Sequence, residues 1–327
     1  MPRFFLAATT LAIMLAAASI SAAPVTAQES FPTKPIRIIN PLPAGSAVDV
    51  VARMVGEQLT GLWRQQVVVE NRPGAGGALA AQAVANAPPD GYTLLVGAGT
   101  IFTILPAQQN KLAIDVNRDL VPIGLMGGGA MYLAVPPSLG VSSLPEFVAL
   151  AKSRPREIVV GTNGAGTLPH FAALALAKMG DVPITVVPYA TGGTMAAISD
   201  IMGGRVHATI ESMSALRGAV EAGDLKLIAV MSPERAPIFP DLPTAAETVP
   251  GLSAVGFMSL AAPAGTPEYV VRRLSEGLRY ALQTPVVKQR LDEFDMQRPI
   301  LTPAETKAYI ENEEKLWWPL VKEIESK

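Results

Sequence analysis

Two α/β lobes, each a sheet flanked by helices, are the fold that three features of the 327-residue sequence predict. Apolar strand-like runs alternate with helical patterns, and the alternation restarts half-way along the chain. The length also suits about two domains rather than one core.

The first element in order is Met1–Ala27. It carries one early Arg3, an apolar stretch from Phe4 to Ala23, and small residues at Val25-Thr26-Ala27. This reads as a secretory signal peptide cut after Ala27 rather than a membrane anchor, because the stretch is Ala-rich and the cleavage-type site follows at the right distance. Without cysteine, a lipid-anchored product is excluded. The remaining chain, residues 28–327, is expected to be exported.

From there the pattern predicts a strand Ile36–Asn40, a helix from Ala47, a strand Val67–Glu70, a helix near Ala78–Asn86 and a strand Thr93–Gly97. This is β-α-β-α-β, hence a parallel sheet with helices on both faces. The theme resumes with Ile158–Gly161, a helix from Leu168, Ile184–Pro188, a helix from Thr194, Ala208–Glu211 and Lys226–Met231. Helix starts are marked by Ser46-x-x-Asp49, Ser143-x-x-Glu146 and Thr302-Pro303-x-Glu305, each a hydroxyl followed three residues later by a carboxylate, and by Thr284-Pro285. The charged, helical stretch from Pro267 onward packs back on a lobe. The segments near Val121–Val135 and Ser232–Pro243 are where the chain passes between lobes. The expected division is 28–127 plus 244–327 for lobe 1 and 128–243 for lobe 2.

Composition narrows function. The chain is 49% hydrophobic and 17% charged, with a formal charge of −2, so neither disorder nor a basic footprint for nucleic acid is present. With no cysteine and only His170 and His207 as imidazoles, thiol catalysis and Cys-ligated metals are removed and a metal centre is improbable on composition. The nucleotide-binding, zinc-protease and serine-hydrolase motifs G-x-x-x-x-G-K-[ST], H-E-x-x-H and G-x-S-x-G do not occur. Gly74-Ala75-Gly76-Gly77 fails the dinucleotide fingerprint, since Leu79 stands where its third glycine belongs. No cofactor is expected, and no enzyme.

What the sequence does contain is a set of strand ends running into small-residue loops that open helices: Pro41–Ser46, Gly97–Thr100 and Gly161–Thr167. Such loops lie at the carboxyl ends of strands, where α/β folds bind ligands, and helix-opening N–H groups freed of side-chain bulk suit an anion. An ordinary tight turn is the alternative for any one of them.

The runs Pro43–Arg53, Val69-Glu70-Asn71-Arg72-Pro73-Gly74-Ala75-Gly76-Gly77 and Pro89–Leu95 resemble the Bug family, also called the TctC family. These are the periplasmic solute-binding components of tripartite tricarboxylate transporters. The likeness continues through Gly161–His170, Val187-Pro188-Tyr189 with Gly192-Gly193, Pro240–Thr244 and Ala262–Pro267, so it covers essentially all of residues 28–327. It implies a two-lobed periplasmic-binding-protein fold, a Venus flytrap closing on a small carboxylate. It implies a first-lobe grip from Pro43, Ala44, Gly45 and Ser46 with Gly99 and Thr100, and a second-lobe grip from Thr162, Asn163, Gly166, Thr167 and His170. The partners it implies are a dicarboxylate, aromatic carboxylate or acidic amino acid and the transporter's membrane subunits, with the receptor a monomer. This chain departs from the family in Ala44-Gly45-Ser46 for a double glycine, Ala78 for Asn, and Ala190-Thr191 where a Lys is usual; the missing cation points to a different ligand.

Individual residues carry two readings. Asp49 is the capping partner of Ser46, or a recogniser of an amino or hydroxyl group. His170 donates to a carboxylate or bonds backbone. Tyr189 walls the cleft or packs in the core. Glu211 faces the cleft or the hinge. His207 lies at the surface, Arg72 braces its loop, and Trp317-Trp318 pack. The rival functions are a ligand sensor that signals to a membrane kinase and a hydrolase built on carboxylates.

Overall fold

The computed structural model describes residues 31–108, 113–296 and 299–325. The signal-peptide expectation for Met1–Ala27 lies outside them. Residues from Lys34 onward form one compact unit by their contacts, and it contains two five-stranded sheets.

The first sheet begins with β1 (Ile36–Asn40), α1 (Ala47–Trp63), β2 (Val67–Asn71), α2 (Ala78–Ala85), β3 (Thr93–Ala98) and the short α3 (Gly99–Thr103). A one-turn α4 (Val116–Asp119) then leads into β4 (Leu120–Gly127). Apolar residues at helical spacing, Val48, Val51, Ala52, Val55 and Leu59, bury one face of α1 on the sheet. Ile36 and Ile38 are 0% exposed and Ile39 1%. Ile38 and Ile39 are adjacent and so point to opposite faces, and both are buried, so the strand is covered on both faces there. Each such side chain contributes about 1.5–3 kcal/mol by leaving water.

The second sheet is built from β5 (Met131–Val135), α5 (Leu144–Ser153), β6 (Val159–Asn163), α6 (Leu168–Met179), β7 (Thr185–Tyr189), α7 (Gly193–Met202), β8 (Ala208–Ser212), α8 (Met213–Glu221) and β9 (Lys226–Val230). The chain then forms β10 (Met258–Pro263), α9 (Glu268–Gln283), α10 (Pro285–Glu293) and α11 (Pro303–Glu325).

The strand orders are β2-β1-β3-β10-β4 and β7-β6-β8-β5-β9. The helix-linked strands β1–β3 and β6–β8 pair in parallel as expected, but each sheet as a whole is mixed. β10 runs antiparallel to β3 and β4, and β5 antiparallel to β8 and β9. In each sheet the antiparallel strand comes from the part of the chain that has just crossed over. The βαβ pattern reveals parallel strands joined by helices, whereas β5 and β10 each enter their sheet without an α-helix before them.

The two crossings run side by side. Ala130 bridges Val255, and Gly256 N–H donates to Gly129 C=O at 2.8 Å. Gly128 N–H donates to Met296 C=O on the other side, also at 2.8 Å. Residues Ala245, Val249, Leu252 and Ala254 still pack in the second sheet's core. α11 joins both cores: Ile310 packs with the first, Trp317 and Val321 with the second. The indole N–H of Trp318 donates to Thr103 C=O at 2.9 Å.

Candidate ligand-binding site

In both sheets the three helix-linked strands have the spatial order second, first, third, so the chain direction of build-up reverses between β1 and β3 and between β6 and β8. Loops leaving the carboxyl ends of those strands stand at the usual ligand position in such sheets. In the first sheet these are residues 41–46 and Gly99–Thr100; in the second, residues 164–167 and Ser212.

The first-sheet loops touch one another through a glycine. A Cβ on Gly77 (φ +101°) would lie 2.7 Å from Ile101 Cδ1 and 3.2 Å from Pro41 Cβ, so only a bare α-carbon lets α3 and the 41–46 loop approach. This is a packing role for the Gly74–Gly77 run. Gly99 N–H donates to Phe257 C=O at 2.7 Å, fixing the start of α3 against the strand that returns from the second sheet. Pro43, Ala44 and Gly45 are exposed at the loop tip, and Ser46 is half-buried.

Behind that loop lies Asp49, 3% exposed. Its N–H donates to Ser46 Oγ at 3.3 Å, as a capping box requires, but its carboxylate takes the N–H of Gly45 at 2.9 Å rather than that of Ser46. The carboxylate also accepts from Arg53, from Asn71 Nδ2 at 2.7 Å and from Asn40 Nδ2 at 3.3 Å. Burial alone would raise its pKa; these donors outweigh it and hold the group at about 2. Both oxygens are thus committed to protein donors, which favours the structural reading of Asp49.

On the second sheet, Thr167 opens the 12-residue α6 without a side-chain cap. Its hydroxyl turns back to donate to Gly164 C=O at 2.7 Å. The first-turn N–H groups of α6 therefore keep their partial positive charge without a hydroxyl cap from Thr167. Asn163 Oδ1 accepts from Gly164 N–H at 2.8 Å, and Gly166 N–H donates to His170 Nδ1 at 3.4 Å. An accepting Nδ1 puts the proton of a neutral imidazole on Nε2. Thr162 is 0% exposed, and its Oγ1 has no partner among the described residues.

The remaining expected contacts point inward. The hydroxyl of Tyr189 donates to Asp200 Oδ2 at 2.6 Å; burial, then that carboxylate, push its pKa up to about 12. Its ring packs on the core beneath α7. Glu211 is 6% exposed, with Oε2 accepting from the Thr194 hydroxyl at 2.6 Å and Oε1 from Ser212 N–H at 2.8 Å. Burial raises its pKa. His207 is tucked against the sheet, its Nδ1 accepting from Val159 N–H at 3.1 Å, rather than lying free at the surface.

From beyond α3, Gln108 comes near the second-sheet loop: a Cβ on Gly166 would lie 3.8 Å from Gln108 Oε1. Sequence reasoning missed Gln108, Asn40, Asn71 and Arg53. Of these, Asn71 and Arg53 lay inside quoted motifs, but motifs do not show which side chains converge. Among the described residues no group of acidic, His or Cys side chains could hold a metal ion, and no helix is long and apolar enough to cross a membrane.

The profile of the tripartite tricarboxylate transporter family receptors matches residues 51–326. The chain belongs to this receptor family. BugT of Bordetella pertussis is 33% identical over 323 residues, which span 97% of each chain. Among solved structures, R. palustris Rpa4515 with adipate superposes with a TM-score of 0.82 at 30% identity, covering 89% of this chain and 97% of that one. MatC from Rhodopseudomonas palustris with bound malate gives 0.78 at 29% identity, covering 89% and 100%. The two-lobed α/β fold of this TctC receptor is that of these proteins.

Proposed function

We propose that this receptor captures a small carboxylate between its two loop sets in the periplasm and delivers it to the membrane subunits of a tripartite tricarboxylate transporter, without covalent chemistry. The observation that carries this reading is the uncapped N-terminus of α6 at the carboxyl end of β6, a donor array that suits an anion. Relatives that hold adipate and malate support a carboxylate as the ligand. The proposed contacts are Pro43–Ser46, Gly99 and Thr100 from one lobe, and Thr162, Asn163, Gly166, Thr167 and His170 from the other. On the packing of residues 245–254, the lobe boundaries are put at 127/128 and 254/255. Closure is a hinge motion in which the ligand selects the closed state by its higher affinity for it.

A thermal-shift screen of residues 28–327 against mono-, di- and tricarboxylates, aromatic acids and acidic amino acids tests this. At about 100 times its dissociation constant an acid stabilises the fold by roughly 2.7 kcal/mol, several degrees in the midpoint. Thr167→Asp, which sets a negative charge at the anion site, abolishes the shift. A flat response to every acid, or full affinity in Thr167→Asp, overturns the reading.

A further inference from the structure

The peptide of Leu42 is held on both of its polar atoms by side chains. Asn40 Oδ1 accepts its N–H at 3.1 Å, and Asn71 Nδ2 donates to its C=O at 3.0 Å. Asn40 and Asn71 are the last residues of neighbouring parallel strands and stand in register, so their side chains share one face at the carboxyl edge of the sheet. The same amides reach the Asp49 carboxylate, which in turn holds Gly45 N–H, and Arg53 donates to Asn71 Oδ1 at 2.7 Å to close the ring. The loop thus hangs from a connected polar frame at two points, Leu42 and Gly45.

Its own backbone supplies little. Within the loop, Ser46 N–H reaches Pro43 C=O at 3.3 Å, and Pro41 and Pro43 have no N–H to offer. The strand and helix on either side do not depend on the frame, because Ile36, Ile38, Val51 and Val55 are fully buried. An asparagine pair that contributes little to the sheet but fixes the adjoining loop acts on binding, since a loop ordered in advance spares the ligand that entropy cost.

We propose that Asn40 and Asn71 are positioning residues of the ligand site, holding residues 42–46 in their binding geometry before ligand arrives. This rests on the reading that the loop grips the ligand. Asn71 provides the test, because Asn71→Asp keeps the shape and the acceptor for Arg53 but can donate neither to Leu42 C=O nor to Asp49, against which it sets a second carboxylate, while Asn71→Ala removes every one of these bonds.

In both variants of the full chain, amide hydrogen exchange at Leu42, Gly45 and Ser46 should quicken about tenfold or more, with β1 and β3 amides unchanged. Calorimetry with adipate, malate and benzoate should show roughly tenfold weaker binding of those acids that bind the wild type, as the ligand must then order the loop itself. Unchanged loop exchange, an Asn71→Asp that matches wild type, or faster exchange with undiminished affinity each overturns the inference and leaves the receptor reading standing. Failure of wild type to bind any acid of the thermal-shift screen overturns the reading on which it rests.

Discussion

The Asp49 carboxylate converts directly into a pH-dependent stability. Its pKa falls from an ordinary 3.8 to about 2 on folding, and at about 1.4 kcal/mol per pK unit this is roughly 2 kcal/mol of stability. Because the folded value is the lower one, the contribution is complete above about pH 4 and drains away as pH falls toward 2. About half is lost by pH 3. Asp49→Asn removes the charge and presents an NH2 group to donors that need an acceptor, Gly45 N–H or the Arg53 guanidinium, so it should cost about 2–4 kcal/mol at pH 7. Urea unfolding of wild type and variant, followed by tryptophan fluorescence at pH 7, 5, 4 and 3, isolates the effect, since other titrations cancel in the difference. The gap should hold between pH 7 and 5 and shrink by about 1 kcal/mol at pH 3. A gap that stays constant from pH 7 to 3, or a variant as stable as wild type, refutes the argument that the donor set holds this group charged.

Three further outcomes are expected. Gly128→Ala would place a Cβ 2.2 Å from Gly256 O and 2.6 Å from Phe257 Cα; backbone cannot rotate away, so calorimetric melting should show a loss of about 2 kcal/mol or more. Glu211→Gln, at a carboxyl whose pKa burial raises, keeps the acceptor for Ser212 N–H and donates from its NH2 to the Thr194 hydroxyl, which reverses its role. Wild-type stability from this group is present below the unfolded pKa and falls as pH rises above it, so the variant should gain in thermal midpoint at pH 8 and gain little at pH 4. Thr209→Val removes a fully buried hydroxyl without a partner among the described residues, and the urea midpoint should rise by the equivalent of about 1 kcal/mol.

Much of the fold could be read in advance because its information is local. β1 and the start of α1 stand where apolar runs and the Ser46 cap put them, and α6 begins at Leu168 as expected. Thr302 and Glu305 form a full reciprocal cap. What sequence patterning could not show is pairing between distant parts. β10 sits between β3 and β4 although some 130 residues separate it from its later neighbour, a contact announced by no spacing rule. α11 reads as one amphipathic helix packed on one lobe, yet its two halves serve different cores because the stripe at Ile310 and the stripe at Trp317 and Val321 meet different partners.

The site divides in the same way. Small-residue loops at strand ends were legible because glycine and proline constrain the chain wherever they stand. The fate of polar side chains was not, since it depends on which donors arrive from elsewhere. Asp49, Tyr189 and Glu211 all sit within a few residues of the loops, and each sends its polar group inward to Gly45 and Arg53, to Asp200, or to Thr194 and Ser212. This leaves a loop surface whose polar character comes largely from backbone and hydroxyl groups. Side-chain charge near it is organised into the scaffold, where it fixes loop position at the cost of reach. In such an arrangement affinity depends on how firmly the loops are held, so substitutions behind the loops should alter binding as well as substitutions on them.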